Sequence, residues 1–348
     1  MFPYLILFGF FATGAIAAGT RPHGYYPRAF VVAWLVLVVA IGLRYQVGCD
    51  WGPYEMLLAR AKASFGTAAR ITDPAYGILN WAVGSLGLGL WAVDTVCAAI
   101  FTAGLVTFAR AQPNPPLAML VAVPYLIIVV AMGYTRQSAA LGLIMAAIPR
   151  YERGEMLAVL VRLFAASAFH LTAVVIFPFF ALGIARDRLV AFALIIISAV
   201  GAYFIFLQPS LGRLVTNYID YRYSSAGALF RVLMIVTPGL ILIAFRNRFV
   251  TSSRERSFWL SISLASLFAL LLLYLGVPST AVDRVALYAI PLQVFVWSRL
   301  PTVFGSATRQ SMPLIAAVML YSLAVEVVWL TQGHFSDCWV PYRSYLWQ

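Results

Sequence analysis

A chain of 348 residues, 63% hydrophobic and only 10% charged, departs from soluble globular proteins, which carry roughly 25% charge. With a mean hydropathy of +0.90, it is neither disordered, nor a disulfide-rich secreted domain, nor a soluble two-domain enzyme. The net charge of +12, scattered over short loops, fits the positive-inside rule rather than a basic recognition module, so nucleic acid is excluded as a partner.

Apolar runs punctuated by Arg, Pro or Gly predict helical spans over roughly 3–20, 29–43, 91–109, 117–133, 136–149, 156–168, 170–184, 189–207, 227–245, 257–276, 284–299 and 311–331. The first run has no basic residue before it and Arg21 after it, and is expected to be a retained span rather than a cleaved leader. A Gly-rich segment, 74–89, is shorter and either re-enters the membrane or lies along its interface. The fold class is therefore all-α, a polytopic helical transmembrane bundle of about 11–13 membrane segments, short and re-entrant ones included. One integral membrane domain fills residues 1–348.

Orientation follows from the arginines. Arg246, Arg248, Arg254 and Arg256 stand against Glu255 in the loop 246–256, the strongest cytoplasmic signal. Counting crossings outward places Arg21, Arg28, Arg110, Arg150, Arg153, Arg186, Arg188, Arg299 and Arg309 on the same side. The outer face then receives loops 44–90 and 208–226, the tail 332–348, and short turns near 134–136, 169 and 277–283. Every basic residue except Lys62 is arginine. A GC-rich genome explains that bias, and so does the planar, permanently charged fork that arginine offers to phosphate oxygens.

Several polar interruptions carry candidate chemistry. In Gly42–Tyr54, Arg44 and Asp50 are either an interfacial anchor with a surface ion pair or part of a substrate-gripping loop. In the second reading Arg44 contacts an anion, and Asp50 takes a proton or orients a sugar hydroxyl. Tyr134-Thr135-Arg136-Gln137 interrupts an otherwise apolar stretch. A charge there faces a cavity or partner, or else snorkels from a helix end. His170 is embedded in a second apolar hairpin. With no second His or carboxylate at ligand spacing, neither a metal nor another cofactor is expected.

Arg213, Asp220 and Arg222, interleaved with Tyr, have the composition of a carbohydrate-contact surface, though interfacial helices look alike. Asp283-Arg284 is expected to open the eleventh span, followed by Tyr288. Asp is favourable at a helix N-terminus and Arg is not, a hint that Arg284 serves a ligand. Cys97 reads as packing. Cys49 and Cys338 both fall in outer loops, and the sequence leaves open whether they are joined. Glu326, within the last apolar run, receives no role.

The ordered set of these interruptions resembles the EpsG family of bacterial exopolysaccharide and O-antigen-type polymerases. GLRYQVGCDWGPY resembles the family's segment that here covers Arg44, Gly48, Asp50 and Tyr54. DPAYGILNW resembles its acidic-Pro-x-Tyr segment, with Asp73 where Glu is more usual. TRQSAA resembles its Arg-Gln helix start, SAFHLTAVV its His-containing helix, DRVALYAIPLQ its Arg-x-x-x-Tyr helix and Val340-Pro341-Tyr342 its Pro-Tyr close.

The resemblance implies a Wzy-like or GT-C-like membrane glycosyltransferase of the bacterial inner membrane, with its site facing the periplasm or exterior. It would join undecaprenyl-diphosphate-linked oligosaccharides, donor and acceptor both anchored in membrane lipid, without a nucleotide sugar or cofactor. Arg44, Arg136 and Arg284 would hold the diphosphate. Asp50 is the leading base, with His170 its alternative. Tyr54, Gln137 and Tyr288 support them, and Arg213 and Arg222 contact substrate. A chain-length regulator and a flippase of the same pathway are the protein partners implied. A single-sugar polyprenyl-phosphate-dependent transferase, a glycan ligase and a lipid-linked glycan transporter remain open at this point.

Overall fold

A computed structural model describes residues 1–20, 27–182, 225, 227–249, 252–306 and 309–347. The expected span 189–207 and the candidates Arg213, Asp220 and Arg222 lie outside the described residues. Four helices are long and apolar enough to cross a membrane: α1 (Phe2–Thr20), α6 (Leu90–Ala109), α13 (Ser253–Tyr274) and α16 (Met312–Gln332). At 1.5 Å per residue each reaches about 30 Å, the thickness of a hydrocarbon core. Between them run α2 (Pro27–Gly42), α3 (Trp51–Ala61), α4 (Phe65–Ile71), α5 (Pro74–Ser85), α7 (Pro115–Ala122), α8 (Thr135–Glu152), α9 (Met156–Phe169), α10 (Phe177–Leu182), α11 (Ala228–Ala244), α12 (Arg246–Phe249), α14 (Ser279–Ala286) and α15 (Pro291–Val303). The protein is thus an all-helical, multi-pass membrane protein.

Proline and glycine decide where the predicted runs divide. Asn114 caps α7, accepting the Leu117 N–H, and Pro115 follows at the first helical position. Pro124 removes a donor, and the chain widens into a π-helical stretch over Val123–Ala131. The run predicted as 170–184 is a 3₁₀ stretch, Leu171–Ile176, followed by α10. The run predicted as 284–299 is also divided, because Pro278 and Pro291 each start a helix, giving α14 and α15. Helix α5 has 12 residues and rises only about 18 Å, too little to cross.

The interior is held by close helix contacts. Helices α6 and α8 meet backbone to backbone at Gly104 and Gly142. A Cβ on Gly104 would collide with the Gly142 carbonyl, and one on Gly142 with the Phe101 backbone. Small residues permit such approach in membrane bundles, where dispersion rather than the hydrophobic effect joins helices. Replacing Gly104 by Ala is expected to destabilise the protein by about 1–3 kcal/mol, read as a lowered Tm in detergent. An unchanged Tm would mean the helices sit farther apart.

The two ends of the bundle differ in chemistry. At one end Arg299 bonds the Gln112 side chain, the Phe249 carbonyl and Glu255, and Gly154 packs against Arg254. Loops 110–114 and 150–155 therefore share one end with α12 and the start of α13. At the other end the loop after α2 is clasped by the C-terminal segment. Cys49 and Cys338 form a disulfide with Cα atoms 5.2 Å apart, which answers the pairing that the sequence left open. The Gly48 N–H donates to the Cys338 carbonyl at 2.8 Å, Tyr45 N–H to the Arg343 carbonyl at 3.0 Å and Tyr345 N–H to the Leu43 carbonyl at 2.9 Å. Gly48 has φ +98° and a Cβ there would strike the Met132 carbonyl, so only glycine suits the position. This end carries the candidate site.

Candidate active site

Asp73 organises the site. It occupies the N-cap position of α5 but makes no side-chain cap bond, and Pro74 follows. Its carboxylate is instead turned toward two distant segments. Oδ2 accepts from Arg136 NH1 at 2.8 Å and lies 3.2 Å from His170 Nδ1, while Oδ1 accepts the Leu171 N–H at 2.9 Å. Arg136, in the first turn of α8, also donates to Thr72 Oγ1 at 2.8 Å and lies over the Tyr76 ring. Its side chain remains 33% exposed, so part of it stays within reach of a ligand. Residues 73, 136 and 170 thus converge on a single carboxyl group.

His170 sits where α9 stops, in extended backbone before the 3₁₀ stretch. Because its Nδ1 faces a carboxylate, that nitrogen carries the hydrogen, and Nε2 is left as an acceptor. Burial lowers the imidazole pKa, Asp73 partly offsets this, and Arg136 and Arg284 push it further down. The ring is therefore neutral at physiological pH. For Asp73, burial alone would raise the carboxyl. The His170 hydrogen bond and charge, Arg136 and the Leu171 N–H prevail and hold it below the usual carboxylate range.

A second cation faces this cluster. Arg284 lies in the last turn of α14, not at the start of a span as the sequence suggested. Helix α14 begins five residues earlier, after Pro278, and a cation at its C-terminal end is favourable. The Arg284 guanidinium rests 4.6 Å over the Tyr134 ring and, among the described residues, forms no hydrogen bond or ion pair. Its backbone carbonyl accepts from Gln137 Nε2 at 2.9 Å. The preceding Asp283 is gripped by Arg231 through two contacts, 2.7 and 2.9 Å, which fixes α14 on α11. Tyr288 is buried, with its hydroxyl 3.0 Å from Thr172 Oγ1.

Asp50 precedes α3, half-buried and without a cap bond. Its carboxyl makes no hydrogen bond or ion pair among the described residues. Burial raises its pKa, tempered by Arg284 and then Arg136, the cations it faces. Tyr54, one turn along α3, is buried beside Arg136. The site therefore assembles Asp50, Tyr54, Asp73, Arg136, Gln137, His170, Arg284 and Tyr288 from five segments of the chain.

Arg44 does not join them, and its expected diphosphate contact is corrected. The side chain is 1% exposed. Its Nε donates to the Val47 carbonyl, NH1 to the Ile41 carbonyl, and NH2 to Asp94 Oδ1 at 3.1 Å and Thr135 Oγ1 at 2.8 Å. A guanidinium so engaged has no face for a phosphate. It is a buried staple that joins α2, α6 and the start of α8. Sequence reasoning placed Asp73 in a family-like segment but gave it no role, gave none to Thr172, and passed over Asp94 and Arg231. A carboxylate inside the apolar run 91–109 was a signal available for Asp94.

A family model described as EpsG matches residues 28–344. No curated protein and no solved structure matches the chain.

Proposed function

This chain belongs to the EpsG family, and on that premise we propose that it is a polysaccharide polymerase of the bacterial inner membrane. Its family links it to exopolysaccharide synthesis. In this reading it joins undecaprenyl-diphosphate-linked oligosaccharide repeat units on the outer face, with a flippase delivering them and a chain-length regulator as a further partner. The observation that carries the proposal is the unengaged Arg284 cation facing Asp50, beside a neutral His170 whose tautomer Asp73 fixes.

A hydroxyl of the acceptor glycan attacks the anomeric carbon of the donor as the bond to the diphosphate oxygen breaks. The diphosphate leaves with the bonding electrons, and Arg284, with the part-exposed Arg136, stabilises the growing negative charge. Preorganised donors at a developing anion are a strong catalytic lever. The hydroxyl proton passes to His170 Nε2. Asp50, favoured as base on sequence grounds, serves better as the group that orients the sugar hydroxyls, since no partner fixes its proton acceptor as Asp73 fixes that of His170. The disulfide beside Asp50 supports the outward placement, because such bonds persist in oxidising compartments and are rare in the cytosol.

The direct test supplies purified protein in detergent with lipid-linked repeat units. Stepwise lengthening by whole repeats supports the proposal. Products longer by one sugar, transfer of finished glycan to a different acceptor, or no lengthening would overturn it.

The pH profile tests the base. Activity is expected to fall as pH drops through the lowered His170 pKa, because protonated Nε2 accepts nothing. Asp73 raises that pKa, so Asp73→Asn should move the acid limb to still lower pH. The same change should cut the plateau rate by about 10²–10⁴-fold, since the tautomer is no longer held. An acid limb that moves upward would remove His170 from this role.

A further inference from the structure

Helices α1 and α2 follow one another in the chain but pack on different partners, α1 on α7 and α16, α2 on α6. Between them lies a groove of about 470 Å³, within the size range of small-molecule sites. Leu7 and Phe10 line one wall, Val36 and Val39 the other, Met132 the floor, and the C-terminal segment around Trp347 the roof. The groove's three side-chain hydroxyls are already engaged. Tyr4 donates to the Trp339 carbonyl at 2.7 Å, Tyr342 to the Ala40 carbonyl at 2.7 Å and Ser344 to the Leu43 carbonyl at 2.8 Å. Apart from the Trp347 indole N–H, the described side chains leave no free polar group to hold a polar ligand, so the occupant is hydrocarbon.

The floor and the roof of the groove lead along the chain toward the charged site. Met132 precedes Gly133 and Tyr134, the ring beneath Arg284. The roof runs on from Cys338, which is joined to Cys49 next to Asp50. The groove and the charged site are thus neighbours along two stretches of chain, the arrangement that a molecule with an anionic head and a long apolar chain requires. The groove opens between two helices within the apolar zone, so such a chain enters sideways from the bilayer.

We propose that this groove binds the isoprenoid chain of the lipid-linked substrate; the choice of isoprenoid rests on the polymerase reading above. The test uses undecaprenyl diphosphate without sugars, carrying a diazirine in its chain, on the intact protein in bilayer nanodiscs. Photolabelling is expected on α1 within 3–10 and on α2 within 35–40, and excess unlabelled undecaprenyl diphosphate should suppress it. Val36→Trp and, on the facing wall, Ile6→Trp fill the groove. Each should weaken undecaprenyl diphosphate binding about tenfold while leaving inorganic diphosphate binding unchanged.

Labelling elsewhere would overturn the proposal. So would equal labelling by a diazirine phosphatidylethanolamine that undecaprenyl diphosphate does not displace, which would assign the groove to bulk lipid. Loss of both ligands in the Trp variants, or of neither, would overturn it too. Suppressible labelling of the groove in a protein that never lengthens lipid-linked repeats would leave the groove standing and remove the polymerase reading instead.

Discussion

Replacing Arg284 by Ala is expected to cut polymer formation by about 10²–10³-fold, the usual effect of removing one preorganised donor from a developing anion. The protein should remain folded, because the guanidinium makes no ion pair among the described residues and gives up only its contact with the Tyr134 ring. Lipid-linked single repeats should accumulate in cells, visible by mass spectrometry. Arg284→Lys should recover part of the activity, since it restores charge without the planar fork. Arg136→Ala should also abolish polymer, but with an added structural effect, because it leaves Asp73 with one cation fewer. An Arg284→Ala protein that makes polymer of normal length and yield would show that the diphosphate is held elsewhere.

Arg44→Met is expected to act through stability instead. It leaves Asp94, 0% exposed, without its cation, and breaking a buried pair in this way costs about 3–5 kcal/mol. Thermal unfolding in detergent should show the loss directly. The double variant Arg44→Met/Asp94→Leu should recover much of it, since no unpaired charge remains. Arg44→Lys should rescue incompletely, because an ammonium cannot reach the Val47 and Ile41 carbonyls, Asp94 and Thr135 from one position. A stable Arg44→Met protein that fails only in substrate binding would return Arg44 to the site.

The contrast between these arginines shows what a sequence of this kind discloses. Apolar runs are long and their punctuation is chemically explicit, so the helices were legible. So were Arg136 and His170, because a polar residue between two apolar runs has few places to go. Arg44 looked equivalent, but its role depends on Asp94, fifty residues away in a different helix, and spacing along the chain does not report such a partner. Asp73 stood in a family-like segment, but its role was hidden for a related reason. It lies in a polar loop where an acidic residue looks ordinary, and its importance appears only when α8 and the α9 break are brought against it. The position of Arg284 within its helix was misjudged because two prolines, not the run of apolar residues, set the boundaries of α14 and α15.

The clasp between the loop after α2 and the C-terminal segment has a consequence for biogenesis. Cys49 must wait for Cys338, synthesised 289 residues later, and the backbone of residues 43–48 has its partners in the same late segment. A chain still on the ribosome, with its early helices already inserted, therefore presents an unfinished loop around Asp50. The loop that carries Asp50 reaches its final shape only once the C-terminal segment has been made and the two cysteines have joined.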